Sequence, residues 1–252
     1  MLSVNLSGHL AVVTGGTGQL GRVIVRTMAA GGAGVVIHYH RNVEMARQLL
    51  REMQAAGLPG MIAQADVTVE RDVQRMKAEI EKTLGAPDII INNAVIQYGW
   101  ANVLEQPPPD YESQFRSCVL HNVLMAQAFV PAMIAKNWGR VIAINTECAM
   151  QNLPNQSAYV AGKRGMDGVL RVLAREVGQN QVTVNQVAPG WIVSEAALSQ
   201  DNDQVYVQQV PLKRRGTVQD VANLVAFLAS DLAGFISGQY ISVSGGNVMP
   251  TI

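Results

Sequence analysis

Leu10-Ala11-Val12-Val13-Thr14-Gly15-Gly16-Thr17-Gly18-Gln19-Leu20-Gly21 decides how the rest of the chain is read. Its first four residues are apolar without alternation, the mark of a strand buried on both faces. A glycine-rich turn follows directly, and then a helical stretch reaching about Ala30. Glycines at such a turn let backbone N–H groups come close to an anion, and the helix N-terminus adds a favourable dipole. Glycines alone mark any turn. Placed straight after the first buried strand, these point to a dinucleotide pyrophosphate held by Gly15, Thr17, Gln19, Leu20 and Gly21.

Working outward, the same alternation recurs. Val35-Val36-Ile37, Met61-Ile62-Ala63, Ile89-Ile90-Ile91, Val141–Ile144, Val182–Val187 and Tyr240–Val243 are six further apolar runs. Helical stretches at about 43–56, 70–84, 110–136, 158–177 and 218–230 separate them. Short β-branched runs alternating with long helices predict a doubly wound α/β fold, with a parallel sheet covered on both faces. The 252 residues read as a single domain, 1–252. Gln106-Pro107-Pro108-Pro109 reads as a loop before a helix. The polar segment Pro189–Gly216 is too long for a plain connection and reads as a functional lid.

Composition narrows the function. Hydrophobic residues make up 48% and charged ones 15%, which excludes disorder. Nineteen basic and nineteen acidic side chains give a formal net charge of zero. That leaves no basic excess for nucleic acid and no polybasic patch for an anionic membrane. No apolar run approaches the roughly 20 residues needed to span a bilayer. The N-terminal stretch lacks the pattern of a secretory signal. Two cysteines, Cys118 and Cys148, are too few for a disulfide framework. The expectation is a cytoplasmic protein that acts on small molecules, with no nucleic acid and no membrane.

The second strand ends at His38-Tyr39-His40-Arg41-Asn42. A fold that prefers NAD usually places a carboxylate here for the ribose 2′-hydroxyl. No Asp or Glu occurs in this stretch before Glu44, and Arg41 suits a 2′-phosphate, so Arg41 and Asn42 point to NADP(H). His38 and His40 alternate at the strand end and read as facing solvent or the cofactor rim. No third ligand lies at a useful spacing, so no metal is expected.

Tyr159 and Lys163 stand four residues apart on a predicted helix, hence on one face. A phenol titrates near ~10 and is a poor acid or base at neutral pH unless perturbed. A cation one turn away lowers that value. By itself the pair reads as structural.

Together these stretches resemble the short-chain dehydrogenase/reductase family over nearly the whole chain. The loop Thr14–Gly21, Asp66-Val67 and Asn92-Asn93-Ala94 match in order. So do Tyr159-x-x-x-Lys163, Asn185 with Pro189-Gly190, and Ser237-Gly238-Gln239 leading to Gly245-Gly246. The resemblance implies a single Rossmann-like domain with a seven-stranded parallel sheet. It also implies a carbonyl/alcohol oxidoreductase using NADP(H). Tyr159 would be the general acid, and Lys163 would lower its pKa and bind the nicotinamide ribose. Thr146, 13 residues before Tyr159, would polarise the substrate carbonyl where the family usually has Ser. Asp66 and Val67 would contact the adenine, and Asn92 and Ala94 the adenosine ribose side. Pro189, Gly190, Ile192 and Ser194 would hold the nicotinamide amide.

Four positions depart from the family pattern. Gln19 replaces a glycine of the loop, Val95 the glycine after Asn-Asn-Ala, and Thr146 the serine. Cys118 stands in the slot of the catalytic Asn that holds a helix kink and a water, with Asn122 one turn further on. Cys118 reads as a buried helix cysteine, with a nucleophile as the sharper alternative. Glu147 reads as a loop-surface carboxylate, with a second acid or a substrate contact as alternatives. Two rival readings stay open: a cofactor-binding protein with weak or lost catalysis, and a cofactor-free lyase like the halohydrin dehalogenases.

Pocket walls are expected from Ile96, Tyr98, Trp100, Met150, Leu153, Trp191 and Leu198, which fit a carbonyl compound with an apolar part. Within the family the chain is similar to 3-oxoacyl-carrier-protein reductases. Asn137 and Asn180 stand where that branch often has docking arginines, so a carrier-bound substrate is not expected. The resemblance also implies a homotetramer on the two long helices flanking the fifth strand, with a dimer second.

Overall fold

The computed structural model describes residues 3–193 and 203–249. In chain order these form β1 (Leu10–Val13), α1 (Gln19–Ala30), β2 (Gly34–Tyr39), α2 (Val43–Ala55), β3 (Gly60–Gln64), α3 (Glu70–Thr83) and β4 (Ile89–Asn92). Then come α4 (Pro108–Gln114), α5 (His121–Lys136), β5 (Gly139–Ile144), α6 (Cys148–Gln151), α7 (Ser157–Val177) and β6 (Val182–Pro189). The last elements are α8 (Asp203–Gln209), α9 (Val218–Ala229) and β7 (Tyr240–Val243). All seven strands pair parallel, in the order β3-β2-β1-β4-β5-β6-β7. The chain winds outward from β1 to β3, crosses back to β4 and winds outward again. That reversal opens a crevice at the carboxyl ends of β1 and β4, where open α/β sheets bind their ligands.

The apolar runs are continuous because each strand serves two cores. Val13, Ile89, Ile91, Ile142 and Ile144 pack with the α1, α2 and α9 side chains. Val12, Ile90, Val141 and Ala143 pack on the opposite face with α3, α5 and α7. A polar residue at either parity would sit in hydrocarbon, so the alternation of a half-exposed strand is missing.

Two features differ from the sequence expectation. The helix expected at about 110–136 runs from Pro108 and widens into a π-helical turn at Phe115–Leu120. Within the lid, α8 forms a short helix that no clear periodicity announced. The continuous helix Pro108–Lys136 is long and apolar enough to cross a bilayer, a property the search for unbroken apolar runs missed. More than half of its most apolar stretch is buried, with Met125, Ala128, Phe129 and Met133 inside the core.

Candidate active site

At the switch point the turns after β1 and β4 are stitched together by Thr14 and Asn93. The Thr14 hydroxyl accepts from the backbone N–H groups of Asn93 and Ala94, at 2.9 and 3.1 Å. The Asn93 amide donates to the carbonyls of Thr14 and Gly15. Gly15 has φ +62°, and a Cβ there would lie 3.0 Å from the Ala94 Cα. Gly18 caps α1 without a side chain, and the first turn carries no acidic residue. No side chain caps the N-terminal N–H groups of α1 and no carboxylate repels an anion there, so the cradle fits a pyrophosphate. Gln19 opens that helix, and its buried Oε1 has no hydrogen-bond partner.

His38 is buried and holds the same loop, which corrects its reading as a solvent or rim residue. Its Nδ1 accepts from the Gly15 N–H at 2.9 Å, so its Nε2 carries the proton and donates to the Ala65 carbonyl at 3.0 Å. Burial holds the imidazole down to about pH 4, helped by His40 and opposed by the Ala65 bond and Asp66. The native protein therefore keeps His38 neutral where the unfolded chain takes up a proton. Stability is unaffected above about pH 6.5 and falls as pH drops from there towards 4, by roughly 3 kcal/mol at most. Urea midpoints at pH 7.5 and 5 are expected to differ less in His38→Asn than in the native protein. An unchanged difference would exclude His38 as a source of acid lability. His121, buried and held down to about 3 chiefly by burial, adds to the same trend.

Arg41 is exposed, and the Asn42 side-chain Oδ1 accepts from the Met45 N–H as the cap of α2. Asp66 accepts from the backbone and hydroxyl of Thr68. Val67 is buried. The Asn92 side chain turns inward and donates to Asn122 at 2.7 Å.

The carboxyl end of β5 and the first turns of α7 bring Thr146, Tyr159 and Lys163 together. Thr146 is clamped from three sides. The Asn145 side chain accepts from the Thr146 N–H at 2.9 Å, the Tyr240 hydroxyl donates to the Thr146 carbonyl, and its own hydroxyl accepts from the Cys148 N–H at 3.3 Å. The Tyr159 N–H donates to the Tyr98 hydroxyl at 2.7 Å, and the Trp100 indole stacks against the Tyr159 ring at 6.1 Å. Lys163 is buried, donates to the Ile144 carbonyl at 2.6 Å and lies 5.7 Å from the Tyr159 ring centre. Burial raises the Tyr159 phenol above its ordinary value, with Cys148 and Cys118 pushing the same way and Thr146 opposing. This differs from the expected lowering by Lys163, because burial outweighs the cation, whose own pKa burial lowers.

Cys118 sits in the π-helical turn, buried, with its thiol about 4.0 Å from Gln114 Oε1. The π-helical turn is present without an asparagine. Gly162 of α7 packs closely on its start, where a Cβ would lie 2.9 Å from the Gln114 carbonyl oxygen. Asn122 does not reach into the site. It donates to the Cys118 carbonyl at 2.6 Å and accepts from Asn92.

Glu147 is buried, which corrects its reading as a surface carboxylate. Its two oxygens accept from Tyr206 of α8 at 2.9 Å and from Asn247 at 3.0 Å. The Tyr206 hydroxyl in turn accepts from the Trp191 N–H. Burial raises the Glu147 carboxyl, against the hydrogen bonds from Asn247 and Tyr206. Pro189 accepts from the Glu147 N–H, and Gly190 donates to Val243. The Arg215 guanidinium lies over Trp191 at 4.5 Å and donates to the Trp191 and Ile192 carbonyls. Ser194 and Leu198, expected in the cofactor site and the pocket wall, lie outside the described residues.

A family described as Enoyl-(Acyl carrier protein) reductase matches residues 17–247. The chain belongs to the short-chain dehydrogenase/reductase family of oxidoreductases. It is 34% identical over 251 residues to the 3-oxoacyl-acyl-carrier-protein reductase FabG of Staphylococcus epidermidis, covering 95% of this chain and 98% of that one. A 7α-hydroxysteroid dehydrogenase in complex with NADH and 7-oxo glycochenodeoxycholic acid is similar at TM-score 0.92 and 28% identity, over 99% of both chains. A gluconate 5-dehydrogenase from Burkholderia cenocepacia in complex with NADP and tartrate has TM-score 0.90 and 28% identity, over 97% of this chain and 96% of that one.

Proposed function

We propose that the protein is an NADP(H)-dependent oxidoreductase that interconverts a small carbonyl compound and its alcohol. The observation that carries this reading is the convergence of Thr146, Tyr159 and Lys163 beside the crevice at β1 and β4. The FabG relative and the NADP complex of the gluconate dehydrogenase support it. The cofactor, when bound, supplies the hydride. The loop Gly15–Gly21 and the first turn of α1 hold its pyrophosphate, and Arg41 with Asn42 takes the 2′-phosphate. Asp66 and Val67 border the adenine, and Asn92 and Ala94 the ribose. Pro189, Gly190 and Ile192 border the nicotinamide.

Thr146 donates to the substrate oxygen and draws charge onto it. Tyr159 then delivers its proton to that oxygen. A phenol raised by burial is protonated at neutral pH, the form a general acid needs. Lys163, one turn away, faces the ring and stabilises the phenolate left behind. Tyr206 fastens α8 to Glu147 beside the site.

The test is oxidation of NADPH and NADH, each against a panel of 3-oxoacyl-CoA, β-keto ester, cyclic ketone, diketone, quinone and keto sugar. Turnover with NADPH is expected, with a preference over NADH. Arg41→Asp is expected to raise the KM for NADPH roughly 10- to 100-fold, by replacing a charge-assisted bond with repulsion. An unchanged KM would remove Arg41 from the cofactor site.

The Cys118 geometry favours a second reading, a cofactor-binding protein of weak turnover. Asn122 occupies the Cys118 carbonyl, and a thiol is a poor hydrogen-bond partner for a water relay. Exposed Phe115, Ile134 and Val172 on the helices flanking β5 support a homotetramer, with a dimer as the alternative. We place the enzyme in the cytoplasm.

A further inference from the structure

We infer that Asn145, Gln186 and Asp167 are positioning residues: as one hydrogen-bonded chain they set where Thr146, at the end of β5, stands relative to Tyr159 and Lys163 on α7. The inference rests on the reductase reading above and adds residues to the same site. The Asn145 side chain takes the Thr146 N–H on its oxygen at 2.9 Å and donates its NH2 to the Gln186 side-chain oxygen at 2.7 Å. The Gln186 NH2 donates to Asp167 Oδ1 at 2.7 Å. Arg171 closes the chain at the surface, its Nε donating to both Asp167 oxygens at 2.8 and 3.0 Å. A backbone N–H can only donate and a carboxylate can only accept. With those two ends fixed, each amide between them has one orientation.

Burial makes the chain costly. Gln186 lies within β6 opposite Ala143 of β5 and is 1% exposed, and Asn145 is 2% exposed. A strand covered on both faces calls for an apolar residue there. Buried amides are tolerated when their polar atoms are partnered. Here the partners span three elements. Asn145 also donates to the Lys163 carbonyl at 3.3 Å, and Asp167 stands one turn further along α7. The helix that carries Tyr159 and Lys163 is thus tied at two successive turns, once to the end of β5 and once to β6. An apolar contact of the same size tolerates sliding, whereas a satisfied polar chain specifies one arrangement. Tyr240 of β7 fixes the Thr146 carbonyl, and Asn145 fixes its N–H.

Variants at both inner positions test this. Gln186→Met keeps the length of the side chain and removes both of its bonds. Gln186→Glu turns the bond to Asp167 into a repulsion. Each is expected to lower kcat about 10- to 100-fold on the ketone of the panel above that turns over fastest, because a misplaced polariser costs rate. The KM for NADPH is expected to stay within about twofold, since the cofactor cradle lies on other elements. Adding Asp167→Asn to Gln186→Glu rebuilds the chain with donor and acceptor exchanged, and is expected to return kcat to within about threefold of native. Hydrogen exchange of the Thr146 amide, read by mass spectrometry on the cofactor-free protein, needs no turnover. It is expected to be about tenfold faster in Gln186→Met and Gln186→Glu, and near the native rate in the double variant. Either a native kcat or a native Thr146 exchange rate in Gln186→Met overturns the inference. So does a double variant no better than Gln186→Glu alone, or a loss that falls on the KM for NADPH instead of kcat. Should Gln186→Glu not fold, Gln186→Met decides. If the native protein reduces no ketone, the reductase reading fails separately and Thr146 exchange decides: acceleration in Gln186→Met sustains the positioning chain, and an unchanged rate ends it.

Discussion

Tyr159→Phe is expected to lower kcat by about 10³-fold while the Kd for NADPH stays within about twofold. The substitution removes one oxygen and leaves the ring, its stacking on Trp100 and the Tyr98 bond to the backbone in place. The cradle for the pyrophosphate lies on other elements and is untouched. In the mechanism proposed above, what disappears is the proton that the substrate oxygen receives. Thr146 retains its hydroxyl and its clamps, so substrate binding survives and the loss falls on kcat rather than KM. Stopped-flow NADPH oxidation and a fluorescence titration of cofactor measure the two quantities separately. A kcat within tenfold of the native value would remove Tyr159 as the acid. A parallel loss of NADPH affinity would assign it a binding role instead.

Gly21→Ala is expected to weaken NADPH binding by at least 100-fold or to prevent folding at physiological temperature. A Cβ at Gly21 would lie 2.0 Å from the Gly15 carbonyl oxygen and 3.0 Å from the Asn93 amide. Neither neighbour is the loose end of a flexible side chain. Gly15 is held by His38, and Asn93 is tied to two carbonyls of the same loop. Relief therefore means moving α1 away from the β1 turn, which takes the helix N-terminus away from the pyrophosphate. Gly18→Ala is the control. Its Cβ would meet only the Gly15 carbonyl at 3.3 Å, and its φ of −73° suits any residue. Native-like thermal stability and cofactor affinity in Gly21→Ala would mean that the loop yields more readily than its hydrogen bonds imply.

Much of the fold was legible in the residues. Ile89-Ile90-Ile91 could be read as a two-faced strand because both parities are apolar, and the structure divides them between two cores. The Tyr159–Lys163 spacing placed both side chains on one helix face without any knowledge of tertiary packing. Other features depend on partners far away in sequence. His38 read as a rim residue because its two partners, Gly15 and Ala65, are 23 and 27 positions away. Glu147 read as a surface group because Tyr206 and Asn247 come from the lid and the end of the chain. The π-helical turn at Cys118 is a change of hydrogen-bond register that composition does not encode. The elevation of the Tyr159 phenol is likewise a property of burial, which a four-residue motif does not carry.

Gly190 sits against the Glu147–Tyr206 pair, where a Cβ would come within 2.5 Å of the Tyr206 hydroxyl and 2.9 Å of Glu147 Oε2. Any side chain at 190 evicts one partner, and an evicted partner leaves a buried carboxylate or a lid without its fastening. These three positions are thus sterically coupled. A change at the glycine therefore calls for a compensating change at the acid or at the phenol, and either one alters how the lid is held.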